Sequence, residues 1–93
     1  MLFKSKSIDE KFNEIGFIKT KENKSGASYE RENKKFNYTQ VIELIYKANG
    51  TNLLQSYQEG VNKDGFNNVV GLSMYETKLA LNKMHQMGWK SIR

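Results

Sequence analysis

One dipeptide constrains this chain more than any other: Asn49-Gly50, set between two β-rich runs. Asn-Gly suits the left-handed backbone of a tight hairpin turn, and the run before it, residues 36–47, is rich in Tyr, Val and Ile. The middle of the chain is thereby committed to an antiparallel hairpin. With Asn49 and Gly50 as the whole loop, Tyr46 faces Leu53, Leu44 faces Gln55 and Ile42 faces Tyr57. All of these share one side of the sheet, because side chains alternate along a strand.

Two further turn clusters, Asn23-Lys24-Ser25-Gly26 and Asn33-Lys34-Lys35, separate shorter strand runs at residues 17–22 and 27–32. Carrying the alternation through them adds Tyr38, Tyr29, Ala27 and Ile18 to the core side and pairs Lys19 with Glu30 on the outer face. That outer face then shows Val41, Ile45 and Leu54, with Ile45 opposite Leu54. A solvated sheet face alternates to polar residues, so three clustered aliphatics make a candidate protein-contact patch.

Helices flank the strands. Ser7-Ile8-Asp9-Glu10 and Ser73-Met74-Tyr75-Glu76 each read as a capping box, in which the serine hydroxyl and the glutamate side chain satisfy opposite backbone N–H groups. The first opens a helix over about residues 8–15 with Ile8, Phe12 and Ile15 on one stripe and Gly16 past its end. The second opens a helix over roughly 74–87, followed by Gly88 and a Trp89 able to fold back. On a helical wheel Ala80, Leu81, Met84 and Met87 share a face, with Tyr75 and Leu79 to one side. Residues 60–71 read as a glycine-punctuated loop with a short extended piece. The predicted fold is α+β: an N-terminal helix, a four-stranded antiparallel meander and a C-terminal helix, both helices covering one face of the sheet. It is a single domain over residues 1–93, with 1–6 as a flexible tail.

Composition narrows the chemistry. The 93 residues contain no cysteine, one histidine (His85) and no apolar run near the ~20 residues a membrane span needs, which points to a cytoplasmic protein without disulfides or thiolate metal sites. No glycine-rich phosphate cradle is present, and the Asn62–Asp64–Gly65 cluster fails as a calcium loop because glycines occupy both positions that need carboxylates. His85 has no acid three or four residues away to orient it, and Ser73 is explained as a helix cap. The sequence therefore predicts no catalytic residue, no metal, no cofactor and no small-molecule ligand. It predicts a binding or adaptor protein that acts through a protein partner or as a homodimer.

Charge supplies the alternative. Fifteen basic residues against ten acidic ones give a formal net charge of +5, with the surplus in the first and last thirds of the chain. If the terminal helices lie together, Lys4, Lys6, Lys11, Lys78, Lys83 and Lys90 share a hemisphere. Lys78, Lys83 and Lys90 are then candidate phosphate contacts for nucleic acid. Against this, thirteen of the cations are Lys, and only Arg31 and Arg93 carry the planar fork used in bidentate recognition. The order of helix, antiparallel strands and basic helix resembles a double-stranded-RNA-binding domain, with residues 72–87 standing for its second helix. The chain departs from that family by an extra strand and by lacking the lysine cluster at that helix's start. In its Lys- and Asn-rich, cysteine-free composition it also resembles small proteins of phages and mobile elements of low-GC Gram-positive bacteria.

Overall fold

Both helices begin and end by the same local chemistry. The computed structural model describes residues 6–59 and 68–89, and in it α1 spans Ile8–Glu14 and α2 spans Met74–Gln86. Each starts in a complete capping box: Ser7 Oγ accepts from the Glu10 N–H at 3.1 Å, and Ser73 Oγ accepts from the Glu76 N–H at 3.0 Å. Each ends in the paired bonds of a Schellman turn. Phe17 N–H reaches back to Phe12 O and Gly16 N–H to Asn13 O, while Trp89 N–H reaches Met84 O and Gly88 N–H reaches His85 O. The residue after each glycine is thereby folded under its own helix. Phe17 packs edge-on against Phe12 at 5.9 Å between ring centroids, and Trp89 lies 5.4 Å from the Tyr46 ring.

Between the helices run β1 (Ile18–Asn23), β2 (Gly26–Asn33), β3 (Tyr38–Tyr46) and β4 (Asn52–Glu59), an antiparallel meander in sequence order. The extended piece expected in the 60–71 segment is present as β5 (Asn68–Val69), a two-residue addition to the β4 edge; residues 60–67 of that segment lie outside the described part of the chain, as do residues 1–5 of the expected tail. Both helices cover the same face. Phe12, Leu79, Ala80 and Met84 meet Ala27, Tyr29, Ile42 and Leu44 in one cluster, closed by Phe17 and Trp89. Phe12 stacks on Tyr29 with ring centroids 4.1 Å apart. Among the described residues no helix is long and apolar enough to cross a membrane.

The central hairpin differs from the sequence expectation by one residue, and the difference turns β4 over. Lys47 N–H donates to Thr51 O, and Gly50 N–H donates to Lys47 O, so the loop is Ala48-Asn49-Gly50 and not the Asn-Gly pair alone. Gly50, at φ 84°, takes the left-handed position that completes such a three-residue loop. The pairing is therefore Tyr46 with Asn52, Leu44 with Leu54 and Ile42 with Ser56, while Ile45 faces Leu53. Since a one-residue slip reverses every side chain, Leu54 points to the helices and Leu53 and Tyr57 to the open face. Strand β1 is likewise displaced: Ile18 faces Glu30 on the open side, Lys19 faces Tyr29 on the helix side, and the register shifts between Lys19 and Lys21.

Helix α2 also presents a different face from the one a hydrophobic wheel selects. Its buried positions are Glu76, Leu79, Ala80, Lys83 and Met84, and Leu81 is exposed. Two charged residues occupy inward positions, so hydrophobicity alone misplaces the stripe.

Two glycines carry this geometry. Replacing Gly50 by Ala forces an L residue into the left-handed region and should lower stability by about 1–2 kcal/mol. A Cβ on Gly26 would stand 2.6 Å from the Leu44 carbonyl oxygen, so Gly26→Ala should shift the β2–β3 ladder and cost at least as much. Urea midpoints of the two variants against the parent chain check both values.

Candidate functional site

The two faces of the sheet carry different chemistry, and the helix-covered one accounts for residues that look free in the sequence. Lys83 is 4% exposed, and its ammonium sits between Asp9 Oδ1 at 3.3 Å and Glu22 Oε1 at 2.7 Å. Lys19 joins the same two carboxylates at 2.8 and 3.1 Å, and the Tyr29 hydroxyl donates to Asp9 Oδ1 at 2.5 Å. Two cations and two anions thus alternate in a ring that ties α1, β1 and α2 together. Burial alone would raise the Asp9 carboxyl, but hydrogen bonds from Lys19 and Tyr29 and the Lys83 charge outweigh it and hold it below its ordinary value. Hydrogen bonds from Lys83 and Lys19 lower Glu22 in the same way, and Asp9 and Glu22 raise Lys19. Burial, then the bond to Asp9, pushes the Tyr29 phenol well above its usual range.

A second polar cluster centres on Arg31. Its guanidinium donates to Ile15 O at 2.9 Å, Gln40 Oε1 at 2.8 Å and Glu76 Oε2 at 3.2 Å, and lies 4.3 Å from the Phe17 ring centroid. Gln40 passes the chain on to Ser56 Oγ at 3.1 Å. One planar fork therefore satisfies the end of α1, the start of α2 and the middle of β3, a job a point-charged lysine cannot do.

These clusters revise the expected phosphate-binding lysines. Lys83 is enclosed and neutralised, so it is corrected from a surface contact to a structural cation. Lys78 is exposed on α2, and Lys90 lies outside the described residues, as does Lys4. Lys6 pairs with Glu14 at 3.1 Å. The basic hemisphere is reduced accordingly. His85 is exposed at the end of α2, and among the described residues no group of three or more His, Asp or Glu side chains could hold a metal.

The open face has no helix over it among the described residues. Register places Ile18, Glu30, Val41, Tyr57 and Val69 opposite one another in a single row across all five strands. Of the expected patch, Val41 and Ile45 lie on this face and Leu54 does not; Leu53 takes its place opposite Ile45. Val41, between Glu30 and Tyr57 in the row, is 4% exposed, whereas the row's ends are open, Ile18 at 67% and Val69 at 90%. Beside Gly26 the missing side chain leaves a depression of about 220 Å³ walled by Lys21, Ser28, Glu43 and Ile45 among others. The Tyr57 hydroxyl donates to Glu43. Burial first, then that bond and the charges of Glu43, Glu59 and Glu30, raise the Tyr57 phenol above its normal range.

Sequence reasoning missed Ile18, Leu53, Tyr57 and Val69 as members of this face. Nothing in the strand pattern separates the two parities of β4, because Leu53 and Leu54 are adjacent and either can be the inward one. The signal that distinguishes them is the reading of Gly50 as the third residue of its loop.

The charge ring sets the pH response. Asp9 and Glu22 have lowered values in the folded chain, so their stabilisation is present above the unfolded carboxylate range and lost as pH falls through the folded values. Lys19 and Tyr29 are raised, so theirs is present below about pH 10 and lost above it. Urea midpoints should be flat between about pH 6 and 9 and decline on both sides. Lys83→Met should cost about 1–3 kcal/mol at neutral pH and make the acid limb shallower, since Glu22 then lacks its strongest partner.

No family model, no curated protein and no solved structure matches this chain.

Proposed function

We propose that this chain is a small non-enzymatic binding module that works through protein contacts made on the open face of its sheet. The observation that carries the reading is the row Ile18–Glu30–Val41–Tyr57–Val69, which crosses every strand of a sheet whose other face already holds the main hydrophobic cluster. A two-layer domain needs one covered face to stay folded, and leaves the second for water or for a partner. Here the second face carries Ile45 opposite Leu53 in addition to the row, which is more apolar surface than solvation alone calls for. The enclosure of Lys83 between Asp9 and Glu22 favours this reading over phosphate binding by the helices.

The test uses the full chain as bait in a lysate of the cells that express it. A specific partner should be retained by the parent protein and by a helix-side control, Lys78→Glu. It should be lost from the double variant Ile45→Lys/Leu53→Lys, with thermal melts confirming that each variant is folded. Equal retention by the double variant would remove the open face from consideration.

A further inference from the structure

The sign of the charge on the open face specifies its partner. On register, the outward positions are Ile18, Lys21 and Asn23 on β1, then Ser28, Glu30 and Glu32 on β2. They continue as Thr39, Val41, Glu43 and Ile45 on β3, and Leu53, Gln55, Tyr57 and Glu59 on β4. At these strand positions four glutamates stand against one lysine, and Lys47, next in the same alternation beyond Ile45, leaves the face with two negative charges in excess, on a chain whose net charge is +5. The rest of the molecule is correspondingly more basic, so the apolar row lies in an acidic region of a basic protein.

The glutamates are also ordered. Glu32 and Glu59 flank Thr39 one row to one side of the apolar row, Glu30 lies within it, and Glu43 stands one row to the other side. None of the four is ion-paired among the described residues, whereas Asp9, Glu22 and Glu76 on the helix side are. Rows two residues apart are separated by ~7 Å, so the acids bracket the apolar row across ~14 Å, slightly more than the width of an α-helix with its side chains. Five strands make the row ~19 Å long, which matches about 13 residues of helix.

We infer that the open face receives a basic amphipathic helix of about three to four turns, lying across the strands with its apolar stripe on Ile18, Tyr57 and Val69 of the row and its Lys or Arg side chains over Glu30, Glu32, Glu59 and Glu43. This rests on the reading of the open face as the contact surface. A second copy of the chain is the wrong occupant for two reasons. A symmetric face-to-face pair sets two faces of the same negative sign against each other, which is unfavourable. The face's four rows span ~20 Å along the strands and ~19 Å across them, roughly 400 Å², about half of what each partner contributes to a stable globular interface. Nucleic acids and anionic membranes are excluded from this face by the same charge.

The test is binding of a fluorescent, end-capped peptide of roughly 14 residues, leucines at helical i, i+3, i+4, i+7 spacing and lysines elsewhere, read by anisotropy at low salt and at ~0.5 M salt. A twin with glutamate for every lysine is the charge control. The lysine peptide should bind the parent chain and weaken with salt. It should bind about tenfold less well to Glu30→Gln/Glu32→Gln/Glu43→Gln/Glu59→Gln, and less well to Ile45→Lys/Leu53→Lys. The twin should not bind. Glu32→Gln/Glu59→Gln, which leaves the Tyr57–Glu43 bond intact, should show an intermediate loss if the fourfold variant fails to fold. Undiminished binding to the glutamine variants, preference for the twin, or a stable dimer of the parent chain in low-salt sedimentation equilibrium would overturn the inference. If the lysine peptide fails while lysate retention still depends on Ile45 and Leu53, the charge assignment falls and the contact surface stands. If both fail, both fall.

Discussion

The arrangement of this fold depends on a lysine ammonium placed where a leucine would ordinarily sit. Lys83 projects from the inward stripe of α2, and its charge is met by Asp9 from the first turn of α1 and Glu22 from the end of β1. Those two carboxylates also hold Lys19, so four charges cancel within one cluster. A buried cation without partners is costly, and removing either carboxylate would leave one poorly compensated. The ring therefore acts with the packing of Phe12, Leu79 and Ala80 to specify which way α2 faces and how α1 and β1 approach it.

Arg31 plays the matching part at the other end of the helix pair. The carbonyl of Ile15 at the end of α1 and the carboxylate of Glu76 at the start of α2 both terminate on its guanidinium. Glu76 is at once the third residue of a capping box and an ion-pair partner, so the signal that starts the helix also positions it. Local and tertiary preferences agree here, which is the condition for a single well-defined packing in a domain of this size.

How much of this is legible in the sequence follows from the range of each signal. The capping boxes and terminal glycines are local, and they place α1 and α2 to within a residue. The strand runs and turns are nearly local, and the meander follows from them. Parity is what they do not carry. A hairpin loop of two residues and one of three can share the same Asn-Gly pair, yet they send Leu54 to opposite faces. The irregularity between Lys19 and Lys21 has the same effect on Ile18, and no residue in that segment announces it. Polar residues at inward positions are the other blind spot. Lys83 and Glu76 count as surface in any hydrophobic pattern, and they become core residues because each finds its partner from an element distant in sequence. Of the aliphatic patch read from the strands, Val41 and Ile45 keep their place on the open face, and Leu54 turns inward with the rest of its parity. The wheel that selects Leu81 errs for the same reason that the charge pattern takes Lys83 for a surface lysine: neither registers the carboxylates that draw that side of α2 inward.

The edges of the sheet bear on which surface is left for a partner. Strand β1 is exposed along its whole length, and an open edge invites another chain to add a strand. This edge carries lysines at 19 and 21, with Lys24 in the turn that follows, and an irregular register, both of which discourage such pairing. At the other edge β5 offers two residues, too few to template a strand. With both edges blunted and one face filled by the helices, the open face remains as the broad surface on which backbone hydrogen bonding plays no part. Recognition there depends on side chains alone, and the side chains it offers are an apolar row and the glutamates on either side of it.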